Sequence, residues 1–266
     1  MHFATLASGS SGNSMVVGDG EQNFLVDCGV SARGALHNLS LLGIAAQSIR
    51  GVVVTHEHHD HIQGVGALAR KLKIPVYATP GLWEELDRSV GKLTPEQRVE
   101  VSRSFCCAGI QVKLFPTSHD SRESYGLRLT AGRGDKRQVI GIATDSGAIT
   151  KEMDDGLTGC DALIVEANHD QERLWQGSYP WYLKKRVAGE FGHLANRQLA
   201  EALLVWVQEN TQKIVLAHLS EENNTPELAL RTVLHTLRAS PIAKQNPGLR
   251  LRVAPRYQPH DLIVLG

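Results

Sequence analysis

Short apolar runs rich in β-branched residues recur along this chain, separated by segments whose apolar positions fall at helical spacing. Residues 3–7, 14–18, 23–29, 51–54, 75–79, 111–115, 162–165 and 213–217 read as strands, as do 250–254 and 261–265 near the end. Residues 125–130 and 138–143 read as a hairpin about the turn at 132–136. Helical spacing predicts a helix over 31–42, with Ala32, Ala35, Leu36, Leu39 and Leu42 on one face and Gly43 as its stop. A second covers 64–73 (Val65, Leu68, Ala69, Leu72), and a third begins at Pro80. Further helices lie around 181–189, over 196–208 (Leu199, Ala202, Leu203, Trp206) and over 226–238. Residues 91–100 are polar and read as a surface connection. No linker, low-complexity tract or repeat interrupts the pattern, so a single domain over 1–266 is expected, of layered α/β class.

The sharpest polar interruption is Thr55-His56-Glu57-His58-His59-Asp60-His61, between the run at 51–54 and the helix at 64–73. The histidines therefore fall where a strand ends and a helix has not yet begun. Alternate side chains of extended backbone share a side, so His56 and His58 point the same way. Asp60 and His61 lie beyond the bend and face the same cavity from another angle. Four ligand-capable side chains so close together suit two adjacent divalent ions. Five predicted strands end in such a residue, at His56, His119, Asp145, Glu166 and His218, and active sites of layered α/β folds lie where strand ends converge. Imidazole and carboxylate without thiolate suit zinc or manganese, and iron also. Two such ions can generate hydroxide at neutral pH and hold a substrate's oxygens. His37 and His235, each inside a helix, read as structural or solvated. Asp27 either supports the metal loop from behind or caps the helix at 31–42. The loop Ser8-Gly9-Ser10-Ser11-Gly12-Asn13 is either a plain hairpin loop or a set of backbone donors for an anion.

Composition narrows the picture without sharpening it. Hydrophobic residues at 42% and charged residues at 21% are ordinary for a globular protein. Lys plus Arg balances Asp plus Glu at 28 each, so no bulk field favours nucleic acid or membrane, and any basic site is local. The four cysteines have no zinc-finger or CxxC spacing, and adjacent Cys106 and Cys107 are poor disulfide partners. Neither a signal peptide nor a membrane-length apolar run is evident. A reduced, cytoplasmic protein is expected.

The arrangement His56-x-His58-x-Asp60-His61, followed by His119, Asp145 and His218, resembles the metallo-β-lactamase fold hydrolases over nearly the whole chain. That resemblance implies an αββα four-layer sandwich with two metal ions at one edge. His56, His58 and His119 would hold one ion, Asp60, His61 and His218 the other, and Asp145 would bridge them. A bridging Asp is similar to the phosphodiesterase and thioesterase branches rather than to true β-lactamases. Five motifs together resemble the bacterial YycJ exonuclease branch. They are Leu6-Ala7-Ser8-Gly9-Ser10-Ser11-Gly12-Asn13-Ser14, Val26-Asp27-Cys28-Gly29, Glu166-Ala167-Asn168-His169-Asp170, Gly192-His193-Leu194-Ala195-Asn196 and His218-Leu219-Ser220-Glu221-Glu222-Asn223-Asn224. Ala195 stands where that branch often has serine.

The resemblance implies a metal-dependent phosphodiesterase acting on DNA, a 5′-to-3′ exonuclease that uses a metal-bound hydroxide, with a setting in DNA repair. Asp60, Glu166 and His193 would be catalytic, the Glu–His pair protonating the leaving group, with His169 as rival acid or substrate ligand. Ser220 and Asn223 join His169 as substrate contacts. Lys184, Lys185 and Arg186, with Trp181 and Tyr182 beside them, offer either phosphate contacts and a stacking surface or a solvated helix face. The alternative function is a small-molecule phosphodiesterase acting on cyclic ribose phosphates, which needs the same metals and a closed pocket. A thioesterase or a non-catalytic regulator fits less of the pattern. No membrane partner is implied, and oligomeric state is not legible.

Overall fold

The apolar runs pair into two seven-stranded sheets in a computed structural model that describes residues 1–266, the Ala243 side chain excepted. The first half supplies β1 (His2–Ala7), β2 (Ser14–Asp19), β3 (Gln22–Val26), β4 (Ile49–Val53), β5 (Val76–Ala78) and β6 (Arg98–Glu100). The second supplies β7 (Ser104–Cys107), β8 (Ile110–Pro116), β9 (Tyr125–Ala131), β10 (Gln138–Ala143), β11 (Ala162–Glu166), β12 (Lys213–Ala217) and β13 (Arg250–Val253). The last strand, β14 (Ile263–Val264), returns to the first sheet beside β1. The orders are β14-β1-β2-β3-β4-β5-β6 and β13-β12-β11-β10-β9-β8-β7.

Alternation along the strands builds the layers. Ala162 and Ile164 of β11 and Val215 and Ala217 of β12 join a core shared with the first sheet, through Val16, Leu25 and Val52 among others. Their neighbours Leu163, Val165, Ile214 and Leu216 point the other way, into a second core. Helices α1 (Ala32–Leu41), α2 (His59–Ile62), α3 (Val65–Leu72) and α4 (Pro80–Ser89) belong to the first half, and α1, α3 and α4 send Leu39, Leu68 and Leu86 into the first core. After α5 (Lys151–Leu157), α6 (Gln171–Gln176) and α7 (Trp181–Val187), two longer helices follow: α8 (Asn196–Trp206) and α9 (Pro226–Ala239). Met153, Leu203, Trp206 and Val233 from α5, α8 and α9 fill the second core. Two sheets between two helical layers give the αββα sandwich that the resemblance implied.

Three local expectations are corrected. The stretch 91–100 is not only a connection: Arg98–Glu100 forms β6, parallel to β5. β7 pairs antiparallel with β8 and was not predicted. Both are short edge strands, half-exposed, and so lack the apolar run that marks a buried strand. The histidine loop also turns helical earlier than its pattern indicates, since His59–Ile62 already forms the turn α2. No helix among the described residues is long and apolar enough to cross a membrane.

Strand direction positions the site. β3 and β4 are parallel, as are β10, β11 and β12. β8 and β10 each run antiparallel to the intervening β9, so they share a direction. Loops leaving these strands carry Asp27, His56, His119, Asp145 and His218, and Glu166 is the last residue of β11.

Candidate metal centre

Three of those strand ends use left-handed backbone at a residue other than glycine: Asp27 (φ 58°), Asp145 (φ 61°) and His218 (φ 54°). Such conformations are costly outside glycine and persist where surrounding contacts enforce them. At Asp27 the contacts are plain. Its Oδ1 accepts from Thr55 N at 2.8 Å, and its Oδ2 accepts from Thr55 Oγ1 and His61 Nδ1 at 2.7 Å each. Asp27 therefore supports the histidine loop, while the Ser31 side chain caps α1 by accepting from Gly34 N. The loop lies close against its neighbours: a Cβ on Gly29 would come within 1.5 Å of the Asp60 carbonyl oxygen.

The donor atoms converge in four overlapping groups, two of them being His56, His58 and His119 and Asp60, His61 and His218. Within each group the donor atoms all lie within 4.8 Å of one another. Asp145 stands between them, with Oδ2 at 3.2 Å from His61 Nε2, Oδ1 at 3.1 Å from His218 Nδ1 and 3.8 Å from His119 Nε2. Three histidines have one ring nitrogen tied to an acceptor outside the cluster. His61 Nδ1 donates to Asp27, His119 Nδ1 to the Gly192 carbonyl at 3.1 Å, and His218 Nδ1 to Glu166 Oε1 at 2.9 Å. Each bond turns the Nε2 of its ring into the cluster, the arrangement usual behind metal-binding imidazoles. His56 Nε2, Asp145 Oδ2 and His218 Nε2 are buried without any hydrogen-bond partner. Orphaned polar atoms at such depth are costly unless a cation satisfies them, so the residues fit divalent metal ions.

The charges agree. Burial opposes ionisation of Asp145, but His218 and His61 overcome it and hold the carboxyl well below the usual range. Burial likewise opposes protonation of His218, yet Asp145, Asp60 and Glu166 push its pKa up to about 10. His61 is raised in the same way, against burial, by Asp145 and Asp27. His61 and His218 thus hold protons against their burial, and divalent ions would displace those protons.

Beside this cluster Glu166 is wholly buried. Its Oε1 accepts from His193 Nδ1 at 2.7 Å as well as from His218, and its Oε2 accepts from Ser146 N and Leu194 N at 3.1 Å. Burial raises the Glu166 pKa, but His193 and His218 outweigh it and bring it to about 2. The resulting carboxylate raises His193 above the ordinary histidine value, against the effect of its burial.

Residues 22–219 match the family described as the beta-lactamase superfamily domain. The chain belongs to the beta-lactamase superfamily. It is 36% identical over 241 residues to the exodeoxyribonuclease YycJ of Bacillus anthracis, covering 89% of each chain. It is 36% identical over 239 residues to the exodeoxyribonuclease WalJ of Streptococcus pneumoniae, covering 88% of this chain and 87% of the other. A crystal structure of the metallo-beta-lactamase fold protein YhfI from Bacillus subtilis superposes with a TM-score of 0.69 over 98% of this chain and all of the other, at 16% identity, a likeness of fold alone. Like its superfamily relatives, the protein is a hydrolase.

The superfamily cleft of this chain encloses about 180 Å³ and is lined by Ser10, His58, Asp60, His119, Asp145, Arg186, His193 and His218. Of the proposed substrate contacts only Arg186 lines it, with Nε donating to Asp120 Oδ2 at 2.6 Å. The expectation for Lys184 is corrected. Its side chain is buried and Nζ donates to the Trp175 carbonyl at 2.8 Å, which leaves Lys185 and Arg186 as the exposed cations of that helix. Ser220 and Asn223 close on each other, Asn223 N donating to Ser220 Oγ at 3.1 Å. His169 is buried, its Nδ1 has no partner, and burial lowers its pKa to about 4. None of these three lines the cleft.

Several contributors escaped the sequence reading. Asn13, on the loop left open between hairpin and anion site, donates through Nδ2 to Asp60 Oδ2 at 3.2 Å and lies 3.0 Å from His61 Nε2. Ser8 Oγ accepts from His218 N at 2.8 Å. The loop thus braces the cluster and places Ser10 in the cleft. Its signal was the Gly/Ser density. Asn224, which bonds the Ala167 and Asn168 carbonyls and Asn196, joins the loops carrying Glu166, His193 and His218, and nothing in its spacing announced that.

Proposed function

We propose that the protein is a metal-dependent phosphodiesterase acting on DNA, a 5′-to-3′ exonuclease. The observation that carries the chemistry is the 2.7 Å Glu166–His193 bond beside the donor cluster. Two bound divalent ions, zinc or manganese, would activate water at neutral pH and offset charge on the phosphate. His56, His58 and His119 would hold one, Asp60, His61 and His218 the other, with Asp145 between them.

The rest follows from this chain's own side chains. Asp60 is held ionised, because His218 and the nearby His61 outweigh its burial, and it lines the cleft. Arg186, fixed by Asp120, offers its remaining N–H groups to a phosphate oxygen. Expulsion of an alkoxide needs a proton. His193 uses Nδ1 for Glu166, so Nε2 carries the proton toward the departing oxygen, and the Glu166 carboxylate stabilises the charged ring beforehand.

Cleft size supports the polymer reading over the small-molecule one. Pockets that enclose a small ligand usually reach about 300–1,000 Å³. The cleft's 180 Å³ admits a phosphate and leaves the remainder of the substrate on the surface, as a polymer requires. The 36% identity to two exodeoxyribonucleases over most of the chain supports DNA as that polymer. The test offers manganese- or zinc-loaded protein a 5′-phosphorylated DNA and a cyclic ribose phosphate side by side. Release of mononucleotides from the 5′ end is expected. Turnover of the cyclic ester alone would overturn the reading.

A further inference from the structure

We propose that Ser118 and Gly147 are positioning residues for His193, fixing the turn that carries it against the donor cluster. This inference rests on the reading of His193 as the proton donor and adds how the chain places that donor. His193 follows the turn at 188–192, between the end of α7 and the start of α8. Side chains do little to hold this turn. Ala188, Glu190 and Phe191 are exposed, Phe191 at 62%. A segment with so little buried apolar surface is mobile unless backbone bonds hold it.

Those bonds come from one loop, which meets consecutive carbonyls of the turn. Glu190 O accepts from Ser118 Oγ at 2.8 Å, Phe191 O from Asp120 N at 3.0 Å and Gly192 O from His119 Nδ1 at 3.1 Å. Ser118 N in turn donates to Ser146 Oγ at 3.1 Å, and Gly147 N donates to the Ser118 carbonyl at 2.8 Å. The loops after β8 and β10 are thereby tied into a single support. The same two loops carry His119 and Asp145 of the donor cluster, so the turn is referred to the cluster itself.

Gly147 brings that support directly against the turn. Its φ lies outside the left-handed region, so close approach is what requires glycine here. A Cβ at 147 would fall 2.5 Å from the carbonyl carbon and oxygen of Glu190, and closer still to the Gly189 oxygen. All three are backbone atoms, so no side chain can swing aside and the turn itself must move. On the other flank, Leu194 N and Ser146 N both donate to Glu166 Oε2, the carboxylate whose Oε1 takes His193 Nδ1. The residue before His193 and the residue after it are therefore both bonded to the framework of the cluster. Displacement of a reacting group by about 1 Å can cost on the order of 10²-fold in rate. Of the three carbonyl contacts, the one from Ser118 Oγ can be deleted without removing a donor of the cluster.

The test compares metal-loaded wild type, Ser118→Ala, Ser118→Thr, Gly147→Ala and His193→Ala on 5′-phosphorylated DNA and on a nitrophenyl phosphodiester, with metal content and Tm measured alongside. Ser118→Ala is expected to keep its metals and lose about 10- to 100-fold in kcat on DNA, with the nitrophenyl ester nearly unaffected. Ser118→Thr, which retains the hydroxyl, should restore the rate on DNA. Gly147→Ala should lose at least as much as Ser118→Ala, and if it does not fold the Ser118 variants decide. A second readout is independent of turnover. The His193 Nδ1–H proton, identified by NMR in zinc-loaded protein through its loss in His193→Ala, should shift in Ser118→Ala and return in Ser118→Thr. Full DNA activity in Ser118→Ala, loss of metal from it, or a proton signal that stays in place would overturn the assignment. If His193→Ala loses equally on the two esters, the proton-donor reading fails, and the proton signal alone then decides the positioning.

Discussion

His193 donates through Nδ1 to Glu166 Oε1 at 2.7 Å, and the same carboxylate oxygen accepts from His218 Nδ1. One buried anion thus orients a residue of the donor cluster and the residue proposed to protonate the leaving group. If His193 supplies that proton, His193→Ala keeps its metals and fold but loses about 10²–10⁴ in kcat on DNA. A nitrophenyl phosphodiester, whose leaving group needs no proton, recovers much of that loss. Equal damage on both substrates, with metal content unchanged, would remove His193 from the chemistry.

The charge on Glu166 predicts a pH effect with a definite sign. The carboxylate raises the His193 pKa, and a general acid works only while protonated. Activity therefore falls as pH rises through that raised value. Replacing the anion by a neutral amide in Glu166→Gln lowers the His193 pKa, so the alkaline limb of kcat/KM moves to lower pH. The comparison is made with metal in excess, because Glu166 also touches His218. An alkaline limb that stays in place would show that it reports another group.

Lys184 and Arg186 occupy one helix and should separate cleanly. Lys184→Ala removes a buried donor from the Trp175 carbonyl and should cost about 1–3 kcal/mol of stability, read as a lower Tm. The slope of log affinity against log salt on DNA should not change. Arg186→Ala should raise KM on DNA and flatten that slope by about one counterion. If the two variants exchange phenotypes, the assignment of Arg186 to phosphate fails.

Much of the site was legible because metal chemistry constrains residue type and strand ends constrain place. His56, His58, His119, Asp145 and His218 could be picked out since each closes or follows an apolar run. The four layers were implied by the family resemblance, since β11 is buried throughout and its service to two cores shows only in the structure. Illegible parts depend on contacts distant in sequence. β6 and β7 are edge strands without an apolar run, and Lys184 reads as a solvated cation until tertiary packing covers it. Asn13 and Asn224 act through geometry that no local spacing encodes. The two readings of Asp27 were separable only once Thr55 and His61 were in place.

Asp27 yields the last prediction. Its Oδ2 accepts from His61 Nδ1, and no other charge touches that nitrogen's outer side. A carboxylate in this position fixes the ring and increases its basicity toward a metal. Asp27→Asn preserves volume, tolerates the left-handed backbone at φ 58°, and keeps an oxygen for Thr55 N. What is lost is the anionic oxygen that accepts from His61 Nδ1 and from Thr55 Oγ1. Elemental analysis of wild type should find close to two transition-metal ions per chain. In Asp27→Asn, competition with a chelator should show one ion held about 10–100-fold more weakly and the other nearly unchanged. The Tm of the metal-free proteins should differ far less than that of the loaded ones, because the substitution acts through metal affinity. Loss of both ions together would mean that Asp27 holds the whole histidine loop, and an unaltered affinity would mean that Thr55 alone sets the loop's conformation.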